Sequence, residues 1–126
     1  VTSSNNAEQW MGACRILVVE DDPVIALHLE TMVTQLIEAD VVLSQTTAEA
    51  EAALDTGVDF AFLDVDVLDG TTYAFAQALI ARKIPFAFLS ASSREQMPDG
   101  LRGAPFVAKP YTPGDIAELL QAAGKC

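Results

Sequence analysis

A doubly wound α/β fold is what this chain predicts, on three observations. Short apolar runs of strand length alternate with stretches of helical period. The third and fourth runs lack a two-residue alternation, as strands buried on both faces do. Polar residues follow the runs: Glu20-Asp21, Asp64, Ser90 and Lys109. Five strands alternating with five helices imply a parallel sheet covered on both sides, because parallel neighbours need crossovers, and these are right-handed. Such sheets bind ligands beyond the carboxyl ends of their strands, where strand order reverses.

Residues 1–13 are polar and turn-prone apart from Trp10 and Met11, so they read as a tail or linker, with Trp10 able to pack back. The first strand is expected at 15–19. Asp22-Pro23 then sets an N-cap acid before a proline at the first helical position, where the missing N–H costs nothing. Ile25, Leu29, Met32, Val33 and Leu36 form one apolar stripe of a helix from 23 to about 37. A strand at 41–43 precedes a helix from about 48 to 54, capped by Thr46 or Thr47, with Gly57 ending its turn. The strand at 58–63 leads to a helix from about 72 to 81. The strand at 86–89 leads to a short or broken helix of at most two turns, since Pro98 and Gly100 spoil helical propensity. The last strand, 105–108, precedes a helix from about 113 to 122. One domain therefore spans 14–123, with a C-terminal tail at 124–126.

A chain of 126 residues buries an ordinary core without metal or disulfide staples. Its net charge of −11, from 18 acids and 7 bases that nowhere cluster, argues against a direct nucleic-acid surface. The acids favour solubility, cations and basic partner surfaces. Cys14 and Cys126 lie near the two ends without CxxC spacing, so neither zinc nor a disulfide framework is indicated, and a reducing cytoplasm fits best. A terminal disulfide stays open, as chain ends often lie close together. No apolar stretch approaches the roughly 20 residues of a membrane span, and no basic-then-apolar leader starts the chain.

Glu20, Asp21 and Asp64 brought to one sheet edge would repel one another unless a cation sat among them. Oxygen donors without His or Cys select a hard ion, and Mg²⁺ accepts a few carboxylates while completing its shell with water or phosphate. Asp22 reads as the helix cap, which leaves Glu20 and Asp21 for the ion. Lys109 adds a point charge suited to a phosphoryl group or to Asp64. Ser90 offers a hydroxyl to an oxyanion, although alone such a serine is more often a turn or helix cap. His28, the lone histidine, reads as a helix-surface residue, so a Ser-His-Asp hydrolase lacks its base. Together these groups suit phosphoryl transfer to the Asp64 carboxylate, and no Gly-rich nucleotide loop is present to hold a nucleotide donor.

The segments Ile16-Leu17-Val18-Val19-Glu20-Asp21-Asp22-Pro23, Leu63-Asp64 with Asp69-Gly70, Ser90-Ala91 and Lys109-Pro110 resemble the receiver domain of bacterial response regulators, over about residues 14–123. The resemblance implies a flavodoxin-like receiver fold of strand order 2-1-3-4-5, with Asp64 as phosphoacceptor. It makes Asp21 a direct Mg²⁺ ligand, Glu20 a water-mediated one and the Asp66 carbonyl a further ligand. Ser90 becomes the switching hydroxyl, Phe106 the aromatic that moves with it, and Lys109 the phosphate-binding lysine, with a cis Lys109-Pro110 bond. Asp66 and Ser92 occupy positions that influence the lifetime of the acyl phosphate. The implied partners are a sensor histidine kinase or histidine phosphotransfer protein, docking near Val24, Ile25, His28 and Pro110-Tyr111, and a downstream protein; neither nucleic acid nor membrane is among them.

Two features depart from most receivers: the segment from Asp64 to Gly70 is short and lacks Met-Pro, and the fourth-helix region, 92–103, is short and broken by proline. Both are similar to a subgroup, often alphaproteobacterial, with Pro-Phe-x-Phe before the hydroxyl residue, as in Pro85-Phe86-Ala87-Phe88. Two alternatives compete with this reading. Asp64-Val65-Asp66 resembles the nucleophile motif of haloacid-dehalogenase-like phosphatases, but in those enzymes that motif sits on the first strand and the acidic pair follows it. A receiver-like interaction module that works unphosphorylated would not need the full acid, hydroxyl and lysine set.

Overall fold

The computed structural model describes residues 14–91 and 94–124. Trp10, the expected tail at 1–13, Ser92 and Cys126 lie outside them. Among the described residues, β1 (Cys14–Val19), β2 (Ala39–Ser44), β3 (Phe60–Leu63), β6 (Phe86–Ser90) and β7 (Phe106–Ala108) form one parallel sheet of order β2-β1-β3-β6-β7. This is the expected 2-1-3-4-5 arrangement, and the order reverses between β1 and β3. A separate antiparallel hairpin joins β4 (Asp66–Val67) to β5 (Gly70–Thr71).

The helices are α1 (Pro23–Leu36), α2 (Thr47–Leu54), α3 (Tyr73–Ala81) and α4 (Pro113–Ala123). Alternate side chains of β1 feed two cores, as a pleated strand buried on both faces requires. Leu17 and Val19 join Ala50, Phe75, Leu79 and Phe88 on the α2/α3 side. Ile16 and Val18 join Leu29, Val33, Phe62, Ile116 and Leu120 on the α1/α4 side.

Local sequence sets the helix starts. Asp22 accepts from the Val24 and Ile25 amides with Pro23 at the first position, Thr46 caps α2 through the Glu49 amide, and Thr112 and Asp115 form a reciprocal capping box on α4. Gly124 ends α4 in the left-handed region at φ 69°. The stripe of α1 is shifted from the expected one: Ala26, Leu29, Met32 and Val33 are buried, while Leu36 in the last turn is 39% exposed.

The fourth connection holds no α-helix among its described residues, which corrects the expected count of five helices to four. Two 3₁₀ turns, Arg94–Gln96 and Asp99–Leu101, flank Pro98, and buried Met97 and Leu101 anchor this segment to the core. Proline and glycine remove the backbone pattern of a helix, but two apolar side chains suffice to cover that part of the sheet. Strand β2 is longer than expected because its pairing with β1 extends to Cys14↔Ala39 and Arg15↔Asp40, where the Arg15 and Asp40 side chains form an ion pair at 3.3 Å. Cys14 is buried and disulfide-bonded, the alternative that the sequence leaves open beside a reducing setting. No helix among the described residues is long and apolar enough to cross a membrane.

Candidate functional site

The carboxyl ends of β1, β3 and β7 carry Glu20, Asp64 and Lys109 to one place. Ladder bonds fix each: the Glu20 amide donates to the Ser44 carbonyl (2.9 Å), the Asp64 amide to Val19 (2.9 Å) and the Lys109 amide to Ser90 (2.9 Å). Lys109 Nζ lies 2.8 Å from Glu20 Oε1 and 3.4 Å from Asp64 Oδ2, with its side chain only 20% exposed. Glu20 Oε2 accepts from the Asp22 amide at 3.1 Å, so both oxygens of this buried carboxylate are engaged. Asp64 Oδ1 accepts from the Val65 amide at 2.8 Å. Asp21 is half-buried beside them, and its carbonyl accepts from Gln45 Nε2 at 3.2 Å.

Glu20, Asp21 and Asp64 each offer an oxygen, and these oxygens lie within 4.8 Å of one another. Three carboxylates against one ammonium leave a local charge near −2. The electrostatics register this crowding. The Asp21 carboxyl is held above its usual range by a hydrogen bond with Glu20, by burial and by the charge of Glu20. Burial works against the Lys109 charge, but the hydrogen bond to Glu20 and the proximity of Asp64 outweigh it and raise its pKa. An oxygen-only donor set with a residual charge of this sign fits a hard divalent cation such as Mg²⁺.

The structure thus brings together Glu20, Asp21, Asp64 and Lys109. Ser90 ends the neighbouring strand, buried, opposite Ala108 of β7. Phe106 lies lower on β7, opposite Phe88, half-buried against the α2/α3 core. Asp66 is exposed in the hairpin, where the sequence predicts only a short loop. The Lys109-Pro110 bond is cis, as the resemblance implies. Beside Lys109, a groove of about 360 Å³ is lined by Ile25, His28, Lys109, Pro110 and Tyr111, and Val24 and Leu27 stand exposed on the same helix.

Three contributors escaped the sequence analysis. Thr72 is fully buried and donates from Oγ1 to the Asp64 carbonyl at 2.6 Å. Gln45 ties β2 to the Asp21 backbone. Asp69 accepts from the Thr47 amide, the Thr47 hydroxyl and the Ala48 amide, so the hairpin caps α2 from outside that helix. In the sequence Asp69-Gly70 stands only among the segments of the receiver resemblance and Thr72 only at a helix start; their partners are not legible there.

No known family model matches the sequence, and no curated protein matches it either. Solved structures do. SdrG from Sphingomonas melonis Fr1 superposes with a TM-score of 0.76 at 36% identity, over 88% of this chain and 96% of that one. The BeF3-activated conformation of SdrG from Pseudomonas melonis Fr1 matches with a TM-score of 0.72 at 37% identity, over 89% and 96%. The non-phosphorylated HemR receiver domain from Leptospira biflexa matches at 0.72 and 28% identity, over 87% and 93%. Because that likeness runs through nearly all of SdrG at more than a third identity, and because the sheet order is the one the resemblance implied, the chain belongs to the receiver domain family of response regulators.

Proposed function

We propose that this receiver, residues 14–123, takes a phosphoryl group on Asp64 from the phosphohistidine of a sensor kinase or histidine phosphotransfer protein. The observation that carries the reading is Lys109 Nζ placed between Glu20 and Asp64, with an Asp21 oxygen inside the same cluster. An Asp64 oxygen attacks phosphorus, the P–N bond breaks with its electron pair returning to the imidazole, and an acyl phosphate forms. Lys109 offsets charge on the transferring oxygens. Glu20, Asp21, Asp64 and the Asp66 carbonyl would hold Mg²⁺, which when bound neutralises phosphoryl charge. That the BeF3-activated form of a relative exists supports an activated state for this chain as well.

Ser90 and Phe106 form the switch, the hydroxyl bonding the new phosphoryl oxygens and the half-buried ring repacking with it. Asp66, exposed in the hairpin, and Ser92, two residues past Ser90 in the sequence, set the lifetime of the acyl phosphate. The phosphodonor protein docks on the groove of Ile25, His28, Pro110 and Tyr111 with exposed Val24, an apolar patch at the mouth of the site. Its expected setting is the cytoplasm, and its output a protein contact, with the short Pro-Phe-x-Phe subgroup supplying the atypical fourth connection.

Incubation with labelled acetyl phosphate and Mg²⁺ tests this reading. Wild type should take up one label per chain, and Asp64→Asn none. An equally labelled Asp64→Asn would remove the site assignment. Steady release of phosphate from a monoester substrate would favour a phosphatase, and unlabelled wild type that still binds its partner would favour the phosphorylation-independent module.

A further inference from the structure

Thr72 stands at the N-cap position of α3, yet its side chain makes no cap hydrogen bond. A threonine there ordinarily stabilises the helix by accepting from its first amides. Its hydroxyl instead donates to the Asp64 carbonyl at 2.6 Å, with the Val65 carbonyl at 3.5 Å, and its amide donates to the Val65 carbonyl at 2.9 Å. The side chain is fully buried. The 64–72 loop is therefore closed at its base by a single residue, which bonds the chain as it leaves the hairpin to the chain as it enters.

The Asp64 carbonyl and the Val65 amide are the two ends of one planar peptide unit. A donor on the carbonyl fixes the plane and polarises it, which strengthens its N–H as a donor. That N–H bonds Asp64 Oδ1 at 2.8 Å, leaving Oδ2 toward Lys109. We propose that Thr72 is a positioning residue for phosphoryl transfer: through the 64–65 peptide its hydroxyl holds Oδ1 and so presents Oδ2 of Asp64 to the incoming phosphorus. The proposal rests on Asp64 being the acceptor. After transfer to Oδ2, the same N–H remains on the acyl carbonyl oxygen.

Thr72→Val keeps shape and removes the hydroxyl; Thr72→Ser keeps the hydroxyl. Labelling by acetyl phosphate with Mg²⁺ should slow about tenfold in Thr72→Val, within the range set by sub-ångström misplacement of a reacting group, and return to within about twofold of wild type in Thr72→Ser. In the unphosphorylated protein, the Val65 amide proton should move upfield in Thr72→Val and stay in place in Thr72→Ser, a signature that general destabilisation does not produce. If Thr72→Val does not fold, Thr72→Ala takes its place, with the same slow labelling and upfield shift expected. Labelled wild type together with an equally fast hydroxyl-free variant, or with a folded but slow Thr72→Ser, overturns the proposal alone. Wild type that takes no label overturns the acceptor reading and this proposal with it.

Discussion

At the carboxyl edge of the sheet, β1, β3 and β7 give way to Glu20, Asp64 and Lys109, all largely sequestered from water. At the amino edge the same sheet begins with Phe60, Pro85-Phe86 and Pro105, which with Ile84 and Leu119 enclose an apolar pocket of about 260 Å³. One edge removes carboxylates from solvent and sets them against each other; the other removes only hydrocarbon. Stability should therefore reside at the amino edge and reactivity at the carboxyl edge, and substitutions at the two should move different observables.

The largest expected effect on stability is at the amino edge. Phe86 is 6% exposed and meets Phe88 edge-on at 5.5 Å. Phe86→Ala should cost about 3–5 kcal/mol, read by denaturant unfolding, while the folded fraction still takes label at the wild-type rate. A folded Phe86→Ala that labels slowly would break the separation of the edges.

At the carboxyl edge the sign reverses. Asp21 has its pKa raised above the ordinary 3.8, first by the hydrogen bond with Glu20 and then by burial and Glu20's charge. The folded state then holds its proton more tightly than the unfolded one, so stability falls as pH rises from the unfolded value through the folded one. Above the folded value that loss is complete, and there Asp21→Asn should raise the melting temperature modestly in the absence of divalent cations. The same variant should lose most of the further rise that Mg²⁺ gives wild type. A full Mg²⁺ response in Asp21→Asn would remove Asp21 from the ligand set.

The carboxyl edge was legible in the sequence because an acid or lysine directly after an apolar run has few structural reasons to be there, and the parallel topology sends all such residues to one edge. Glu20, Asp64 and Lys109 follow from that alone. The hairpin was not legible: strands of two residues carry no period, and nothing local distinguishes exposed Thr71 from fully buried Thr72. Propensity marked the fourth connection as short and broken through Pro98 and Gly100, but not as two 3₁₀ turns from which Leu101, with Met97 between them, reaches the core. It understated β2, whose first residues are held by pairing with β1.

Asp69 sharpens the contrast, because it is a carboxylate at the charged edge whose ionisation the fold gains from. The Thr47 amide, the Thr47 hydroxyl and the Ala48 amide all donate to it, at 2.8, 2.8 and 3.2 Å, and these bonds, that from the Thr47 amide foremost, lower its pKa. Its contribution is present above the unfolded value of 3.8 and is lost as pH falls through the folded one, opposite in sign to Asp21. Asp69→Ala should lower the melting temperature by a small amount at neutral pH, the smallest of these effects because the group is exposed to solvent. The gap between variant and wild type should close as the pH is taken below the folded pKa. A gap that persists unchanged in acid would mean that Asp69 acts through backbone geometry at the hairpin turn rather than through charge on the start of α2.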